Sequence, residues 1–328
     1  MKSWTLLHDR IHKTLRKRRL AAKGDRLLVA VSGGQDSLCL LKLLLDLQPK
    51  WQWQLAVAHC DHDWATDAGI ADRVTEIARS WDLPLHLKRA QGLPETEAAA
   101  REWRYRSLAE IAAEQDFSCI AVGHTQSDRA ETLLYNLIRG AGADGLQALT
   151  WHRCLTPNIR LIRPLLEVTR SQTGEFCQEF QLPVWEDIVN DDLRYARNRL
   201  RAEIIPYLKE YLNPRVERNL AQTSELLRAE VEYLEAEAAK YLERALVVAE
   251  NPALDRQILR SLPLALQRRS LRQFLRSSLP SSPVFEQIEA AIYLLSAPNK
   301  SKTSTFPGGV YLEVRGDLLI LRRSPSVR

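Results

Sequence analysis

Six consecutive residues carry the clearest chemical signal, Ser32-Gly33-Gly34-Gln35-Asp36-Ser37. An apolar run at 27–31 precedes them and a leucine-rich segment at 38–47 follows, which predicts strand, turn and helix. Paired glycines allow a tight turn, and its amides together with the helix start attract phosphate. Asp36 would repel phosphate unless Mg²⁺ lies between them. The alternative is an ordinary βα turn with Asp36 as N-cap, and the full six-residue pattern favours the phosphate site.

The six residues are not a Walker loop, because no Gly-Lys-Ser/Thr follows them. They resemble the S-G-G-x-D-S signature of the ATP pyrophosphatases, the PP-loop family. That resemblance implies that pyrophosphate leaves and that AMP passes to an acceptor oxygen. It implies ATP and Mg²⁺ as cofactors, with Asp36 placing the metal through ATP. The implied ATP-binding residues are Ser32, Gly33, Gly34, Gln35, Asp36 and Ser37.

A second group of candidates follows the apolar strand predicted at 119–123. Asp128 and Glu131 are three residues apart at a predicted helix start, so they share a face, and His124 precedes them. The alternative is that both acids complement the helix dipole while Ser127 caps the helix. Beside an ATP loop, however, the three residues become candidates for binding a metal or a substrate amine, or for moving a proton.

Arg101, Arg104 and Tyr105 share one face of a helix predicted from residue 97. Arginines near a helix start oppose the dipole, so anion binding is favoured over ordinary ion pairs with neighbouring glutamates. A polar run at 59–63, which contains possible metal ligands, follows another predicted strand. Adjacent residues of a strand point to opposite faces, so the side chains of this run cannot all converge on one metal ion. His59 and Asp61 are therefore predicted to line the cleft, and a dedicated metal site is not.

The chain of 328 residues is 45% hydrophobic and 27% charged, which is typical of a globular protein with two domains. Alternating strands and helices predict an α/β fold, with a Rossmann-like doubly wound parallel sheet whose last strand is 161–166. A helical linker and a small α+β C-terminal domain should follow. The predicted domains are 1–213, catalytic, and 214–328, the helical connector and a C-terminal domain that binds a substrate rather than carrying out chemistry.

Composition limits the function classes. No apolar run reaches the ~20 residues of a membrane span. Five scattered cysteines without a Cys-x-x-Cys pair indicate free thiols, a reducing cytoplasm and no zinc ribbon or iron–sulfur site. The net charge of +5 is modest, but basic residues cluster near 10–23, 194–201 and 268–276. Three such clusters in a nucleotide-binding protein favour an RNA partner.

Residues 27–212 resemble more than the PP-loop signature: they resemble the tRNA(Ile)-lysidine synthetase family, in its short two-domain type. The matching segments are 32–37, 59–62, 100–105, 123–132, 139–140, 145–146, 162–166 and 195–201, with a weaker match at 306–309 and in the strands after it. The resemblance implies a ligase that forms a C–N bond between free L-lysine and C2 of the wobble cytidine. The substrate would be tRNA(Ile) with a CAU anticodon, adenylated by ATP before lysine attacks.

The resemblance also implies roles for individual residues. The implied catalytic residues are Asp36, Arg101, His124, Asp128 and Glu131. Asp128 and Glu131 would bind the lysine amine. The candidate tRNA-binding residues are Arg194, Arg197, Arg199 and Arg201. Ser127 departs from the family, which usually has an acid there.

Two other functions are alternatives to the ligase. A tRNA thiolase also adenylates a base, but such enzymes generally need paired cysteines. A non-catalytic nucleotide-dependent RNA-binding protein would not require the acids. The sequence does not give the oligomeric state, and a homodimer is one expectation.

Overall fold

The structure is a computed structural model that describes residues 4–185, 193 and 196–324. Two compact units result, Met1–Glu225 and Leu226–Arg328, and the division falls inside a long helix, Val216–Ala245. The predicted class is confirmed: an α/β unit with a parallel sheet, then a helical region and a small C-terminal sheet domain. Within the described residues, no helix is both long enough and apolar enough to cross a membrane.

The first unit contains a six-stranded sheet in the order β3-β2-β1-β4-β6-β5. Its strands are β1 Arg26–Ala30, β2 Gln54–Asp61, β3 Leu85–Arg89, β4 Cys119–Ala121, β5 His152–Thr156 and β6 Ile159–Ile162. All neighbours are parallel except β5, which pairs antiparallel with β6 at the edge. The sequence pattern does not predict β5, because a mixed polar edge strand lacks the apolar run of a central one. The last strand, predicted from residue 161, begins at Ile159.

Helices cover both faces of this sheet. They are α1 Leu6–Lys17, α2 Gln35–Trp51, α3 Ile70–Ser80, α4 Glu97–Glu114, α5 Gln126–Ile138, α6 Gly142–Leu146 and α7 Arg170–Glu179. A short 3₁₀ turn, Ala65–Asp67, precedes α3. Along β1, Leu27 and Val29 pack with α1, α2, α3 and α7, whereas Leu28 packs with α4. The period of two explains why the central strand reads as a continuous apolar run.

The segment that follows is helical but irregular: α8 Ala196–Arg199, a π-helical turn Leu200–Ile204, α9 Ile205–Tyr211, then α10 Val216–Ala245. The helical stretch continues through Pro206 without a break. Pro206 lies in the first turn of α9, and the amide of Ile205 bonds five residues back to Leu200. A proline ring disfavours the regular i−4 bond beside it, and the wider turn avoids that clash.

The second unit has an antiparallel sheet in the order β7-β8-β10-β9. Its elements are β7 Leu246–Val247, β8 Ala253–Asp255, α11 Arg256–Arg260, α12 Leu264–Arg276, α13 Phe285–Ser296, β9 Val310–Arg315 and β10 Leu318–Arg323. A separate apolar core, including Leu271, Leu294 and Leu312, lies between its helices and sheet. In the described structure residues 303–305 form no strand, and Phe306 makes an isolated bridge to Val310.

Candidate active site at the carboxyl ends of the parallel strands

The phosphate loop, residues 32–37, joins the end of β1 to the start of α2. Gly33 has φ +89°, a conformation that glycine adopts at little cost. Gly34 is the N-cap of α2 and no described side chain caps this helix, which leaves its first turn suited to an anion. The Ser37 hydroxyl accepts from the amide of Ser32 at 3.1 Å and donates to the Gly34 carbonyl oxygen at 2.9 Å. The alternative in which Asp36 caps the helix is therefore wrong.

Gly123 lies where the end of β4 meets the start of α2. A Cβ atom at this position would be 2.9 Å from the backbone of both Asp36 and Ser37. That distance is shorter than a carbon contact of about 3.5–4.0 Å allows, so a side chain here would push the first turn of α2 away. In the sequence Gly123 is predicted only as the end of a strand. Its contact with α2 could not be predicted, because a close approach between distant segments leaves no local sequence pattern.

Asp36 is held by the start of α7. Its carboxylate accepts a short hydrogen bond from the Thr173 hydroxyl, and Arg170 Nη1 lies 3.8 Å away. Burial raises the pKa of Asp36, the charge of Asp128 raises it further, and the hydrogen bond from Thr173 opposes both. The neighbouring Gln35 side chain donates to the Arg170 carbonyl oxygen at 2.7 Å, so it braces α7.

The donor set around Asp36 fits a magnesium ion. Two carboxylates, Asp36 and Asp128, lie close enough for one to raise the pKa of the other, and both line one cavity. A bound cation would relieve that repulsion, and carboxylate oxygens are the ligands that Mg²⁺ prefers. Among the described residues, no group of three or more His, Cys, Asp or Glu could hold a metal by protein ligands alone. Phosphate oxygens of a nucleotide would have to complete the shell.

Asp128 and Glu131 project from the first turns of α5. Thr125, not Ser127, is the N-cap, and one Asp128 oxygen accepts from its amide at 2.7 Å and its hydroxyl at 2.8 Å. Ser127 instead accepts from the amide of Arg170 at 3.2 Å. Asp128 therefore completes a capping box with one oxygen, and its other oxygen lies 3.5 Å from Arg201 Nη2. The acid has a structural role at the helix start, and its role in binding or proton transfer stays a prediction.

Arg201 lies against the same two acids. Its Nε and Nη2 donate to the two oxygens of Glu131, each at 2.8 Å, and Nη2 is 3.5 Å from Asp128. Glu131 is buried, 3% exposed, and burial raises its pKa although Arg201 opposes the shift. Burial alone would lower the pKa of Arg201, but the bonds and charge of Glu131 raise it. Arg201 is predicted from the sequence as a tRNA-binding residue, and its pairing with Glu131 is not predicted.

An arginine-rich wall surrounds Tyr105, a residue that lines the cavity. Around the ring of Tyr105, the guanidinium carbon of Arg153 lies 4.3 Å from the centroid, that of Arg101 5.1 Å and that of Arg104 5.8 Å. Burial alone would raise the pKa of Tyr105, but these guanidinium groups and Arg163 lower it. Such a wall favours an anion. Arg101, the predicted ligand, stacks on Tyr105 and is not among the described residues that line the cavity.

His124 lines the cavity and accepts a hydrogen bond from a neighbouring arginine. Arg163 Nε donates to His124 Nδ1 at 3.2 Å, so Nδ1 is an acceptor and the proton of the neutral ring lies on Nε2. Burial and the charges of Arg163, Arg104 and Arg101 hold the pKa of His124 well below its ordinary value. The imidazole is therefore neutral at physiological pH and presents an N–H group.

One cavity of about 370 Å³ joins these parts, which is within the range of small-ligand sites. Its lining includes Ser32, Gly34, Gln35, Asp36, Ser37, His59, Arg104, Tyr105, His124, Asp128, Arg170 and Arg201. The structure thus brings the phosphate loop, His124 and Asp128 together. His59 lines the cavity as predicted, whereas the Asp61 carboxylate turns to Arg89 at 2.8 Å.

The predicted tRNA-binding arginines have different environments. Arg197 Nη1 donates to Glu97 at 2.9 Å, and Arg199 is exposed. Arg194 lies outside the described residues. Of this group, Arg201 lines the cavity.

The five cysteines are free thiols. Burial raises the pKa of Cys60, Cys119 and Cys177 to about 12 in each case, and raises that of Cys39 further. Cys154, on the edge strand β5, is exposed. This arrangement offers no thiolate poised for sulfur transfer.

The sheet, the phosphate loop and the acids define a PP-loop nucleotide-binding protein. The PP-loop domain model matches residues 5–208, and the TilS substrate binding domain model matches residues 254–323. A tRNA(Ile)-lysidine synthase from Nostoc sp. is 55% identical over 97% of this chain and 97% of its own length. The Synechocystis sp. protein of the same name is 55% identical over 97% and 98%. The chain belongs to the tRNA(Ile)-lysidine synthase family.

Among solved structures, a tRNA thiolase from Methanococcus maripaludis superposes with a TM-score of 0.57 at 16% identity. The match covers 67% of this chain and 77% of that one. At this identity the likeness shows a common fold.

Proposed function

We propose that this protein joins free L-lysine to C2 of the wobble cytidine in tRNA(Ile) with a CAU anticodon, releasing AMP and pyrophosphate. By family, the protein is a tRNA-modifying ligase that uses ATP. The observation that carries the proposal is the single cavity that joins the phosphate loop to Asp128. In this reaction the adenylated oxygen and the attacking amine share one carbon atom, C2 of the cytosine, so the phosphate site and the amine site must open into one cavity.

The first step is adenylation of the cytosine O2. This oxygen attacks the α-phosphorus of ATP, an O–P bond forms, and the bond to pyrophosphate breaks. The phosphate loop and the start of α2 hold the departing pyrophosphate. Mg²⁺ beside Asp36 would supply neutralising charge when bound. The N–H group of His124 and the arginine-rich wall around Tyr105, with Arg104 lining the cavity and Arg101 beside it, stabilise negative charge around the transferred phosphate.

The second step is attack by lysine. A lysine ammonium has no lone pair, so its proton must leave before its nitrogen can form a bond to C2. Asp128 and Glu131 bind the ammonium, and one of these carboxylates accepts the proton. The C2–N bond then forms as the C2–O bond to AMP breaks. His124 does not fit the acceptor role, because Nδ1 is engaged by Arg163 and Nε2 carries hydrogen.

The tRNA is bound by Arg194, Arg197, Arg199 and Arg201 and by residues 214–328, in a cytoplasmic enzyme. The match of a substrate binding domain model at 254–323 supports a binding role for the C-terminal region. The domain boundary at 213/214 and the homodimer stay predictions.

A direct test incubates the purified protein with ATP, Mg²⁺, labelled L-lysine and tRNA of CAU anticodon. We expect label in the tRNA, with AMP and pyrophosphate released in equal amounts. Omitting ATP, or changing the anticodon to GAU, should abolish incorporation. AMP release in which sulfur, not lysine, enters the tRNA base would favour a thiolase. Binding of tRNA without AMP release would favour a binding protein. Either result would overturn the proposal.

A further inference from the structure

The further inference concerns the cation already present in the acid site. Arg201 forms two parallel hydrogen bonds with Glu131 and approaches Asp128 to 3.5 Å. Two-point contact between a guanidinium and a carboxylate is the strong form of this ion pair. Glu131 is buried beneath this contact, with its side chain 4% exposed against 26% for Arg201. Both carboxylate oxygens of Glu131 are therefore engaged, and the guanidinium covers them.

The same carboxylates are the ones proposed to bind the substrate amine. An ammonium and a guanidinium satisfy one acid pair in the same way, as hydrogen-bond donors of single positive charge. Two adjacent cations in a half-buried site would repel each other. Lysine can therefore take full advantage of Glu131 only after Arg201 has moved.

A tRNA phosphate is an alternative partner for Arg201, because the segment that carries Arg201 is proposed to bind tRNA. It follows Arg197 and Arg199 along one helical stretch, lines the cavity and is partly exposed. Guanidinium binds phosphate in the same two-point manner as carboxylate. Its backbone is the π-helical turn Leu200–Ile204, a type of irregularity frequent at functional sites. A tRNA phosphate entering the cleft could compete with Glu131 for this side chain.

We propose that Arg201 fills the amine site of the free enzyme and that a tRNA phosphate withdraws it, so that lysine binds after tRNA. This inference rests on the proposed function. Ordered binding would keep the amine away from ATP until the base to be adenylated is in place. Arg201 is then a positioning residue whose contact with Glu131 opposes premature binding of lysine.

The test measures L-lysine binding by calorimetry without ATP, at about pH 8, where the carboxylates are ionised and lysine is an ammonium. For the wild type, we expect tRNA to tighten lysine binding about tenfold, a usual coupling between sites. Arg201→Gln should bind lysine roughly tenfold more tightly without tRNA and lose most of the tRNA effect. Arg73→Gln, which breaks an exposed pair with Glu76, is the matched control and should behave as wild type.

The outcomes separate this inference from the proposed function. If Arg201→Gln binds lysine no better than wild type without tRNA, the inference is overturned and Arg201 merely supports the acids. If Arg201→Gln does not fold, Arg201→Lys replaces it, because one ammonium contact should block more weakly and give an intermediate affinity. An unchanged affinity in that variant also overturns the inference. Failure of the wild type to incorporate lysine into tRNA counts against the proposed function instead.

Discussion

Among single residues, Asp36 shows a conflict between stability and chemistry. Its pKa is raised by burial and by Asp128. A carboxyl group whose pKa is higher in the folded than in the unfolded chain stabilises the fold below the unfolded value, about 3.9. That contribution is lost as pH rises through the folded pKa. Above its folded pKa the ionised Asp36 therefore weakens the fold, and such an arrangement is typical of a functional site.

Replacement of Asp36 by asparagine should separate the two effects. Asp36→Asn keeps an acceptor for Thr173 but removes the buried charge, so we expect Tm at neutral pH to rise by about 2–4 °C, as ~1 kcal/mol gives in a domain of this size. Pyrophosphate release should fall by at least about 100-fold, as is usual when a key charged group is lost. Thermal scans at pH 7 and an AMP assay measure both, and tRNA affinity should be unchanged. A large loss of tRNA affinity would exclude the metal-binding role.

At the scale of elements, the contact between β4 and α2 determines the shape of the phosphate loop. Gly123→Ala would place a Cβ atom 2.9 Å from backbone atoms of α2. We expect a loss of roughly 1–3 kcal/mol in unfolding free energy, as for other overpacked sites, with ATP binding weakened as well. Urea denaturation and nucleotide titration measure these effects. Gly174→Ala, inside α7 at a position where an added Cβ would make an ordinary van der Waals contact of 3.5 Å with Gln35, is the control for a glycine change. Equal behaviour of the two variants would contradict the close-contact explanation.

A second element-scale feature is the set of contacts made inside the first unit by Glu225, its last residue. The Glu225 carboxylate accepts from Arg129 at 2.6 Å, Arg18 at 2.8 Å and the Trp151 indole at 3.1 Å. Arg129 is 2% exposed and lies on α5, next to Asp128.

Glu225→Gln should therefore remove the charge that Glu225 places beside the buried guanidinium of Arg129. We expect a loss of about 3 kcal/mol in unfolding free energy, the usual cost of breaking a buried pair. Glu232→Gln, which breaks an exposed pair with Arg228 on the same helix, should cost about 0.5 kcal/mol or less. Urea denaturation of both variants is the measurement. Similar losses would show that the Glu225 contacts contribute no more than a surface pair.

The sequence predicts local features of the site well and contacts between segments poorly. Residues 32–37 and the strand before them identify the phosphate loop, because glycine conformation and apolar runs are local signals. The support of Asp36 by Thr173 and the pairing of Arg201 with Glu131 join residues 137 and 70 positions apart. Such contacts depend on how α7 and the π-helical turn pack, which no single-sequence pattern encodes. Ser127 and Thr125 show the same limit, since either hydroxyl matches the capping pattern.

Over the whole molecule, the positive charge is more strongly neutralised than its clustering in the sequence indicates. In the C-terminal unit, Arg268 pairs with Glu289 at 2.7 Å, and Arg269 and Arg272 both pair with Glu235. In the catalytic unit Arg197 and Arg201 pair with glutamates, while Arg199 is exposed. Phosphate contact by a paired arginine must replace an existing partner, whereas an exposed one gains a new partner.

The salt dependence of tRNA binding should reflect this difference. Arg199→Gln should reduce the slope of log affinity against log salt concentration by about one, because one phosphate contact releases about one counterion. Arg268→Gln, at a paired arginine, should leave the slope unchanged. Fluorescence titrations from low to moderate salt measure both. A slope that Arg199→Gln does not alter would return Arg199 to a structural role.

The exposure of Cys154 has a practical consequence for following the enzyme at work. A maleimide reacts with thiolates, and the other four thiols are held protonated by burial, so brief treatment should attach one dye to β5. The neighbouring residue, Arg153, stacks on Tyr105 in the cavity wall. A fluorophore at this position would report, in a stopped-flow instrument and without any engineered cysteine, when a substrate enters.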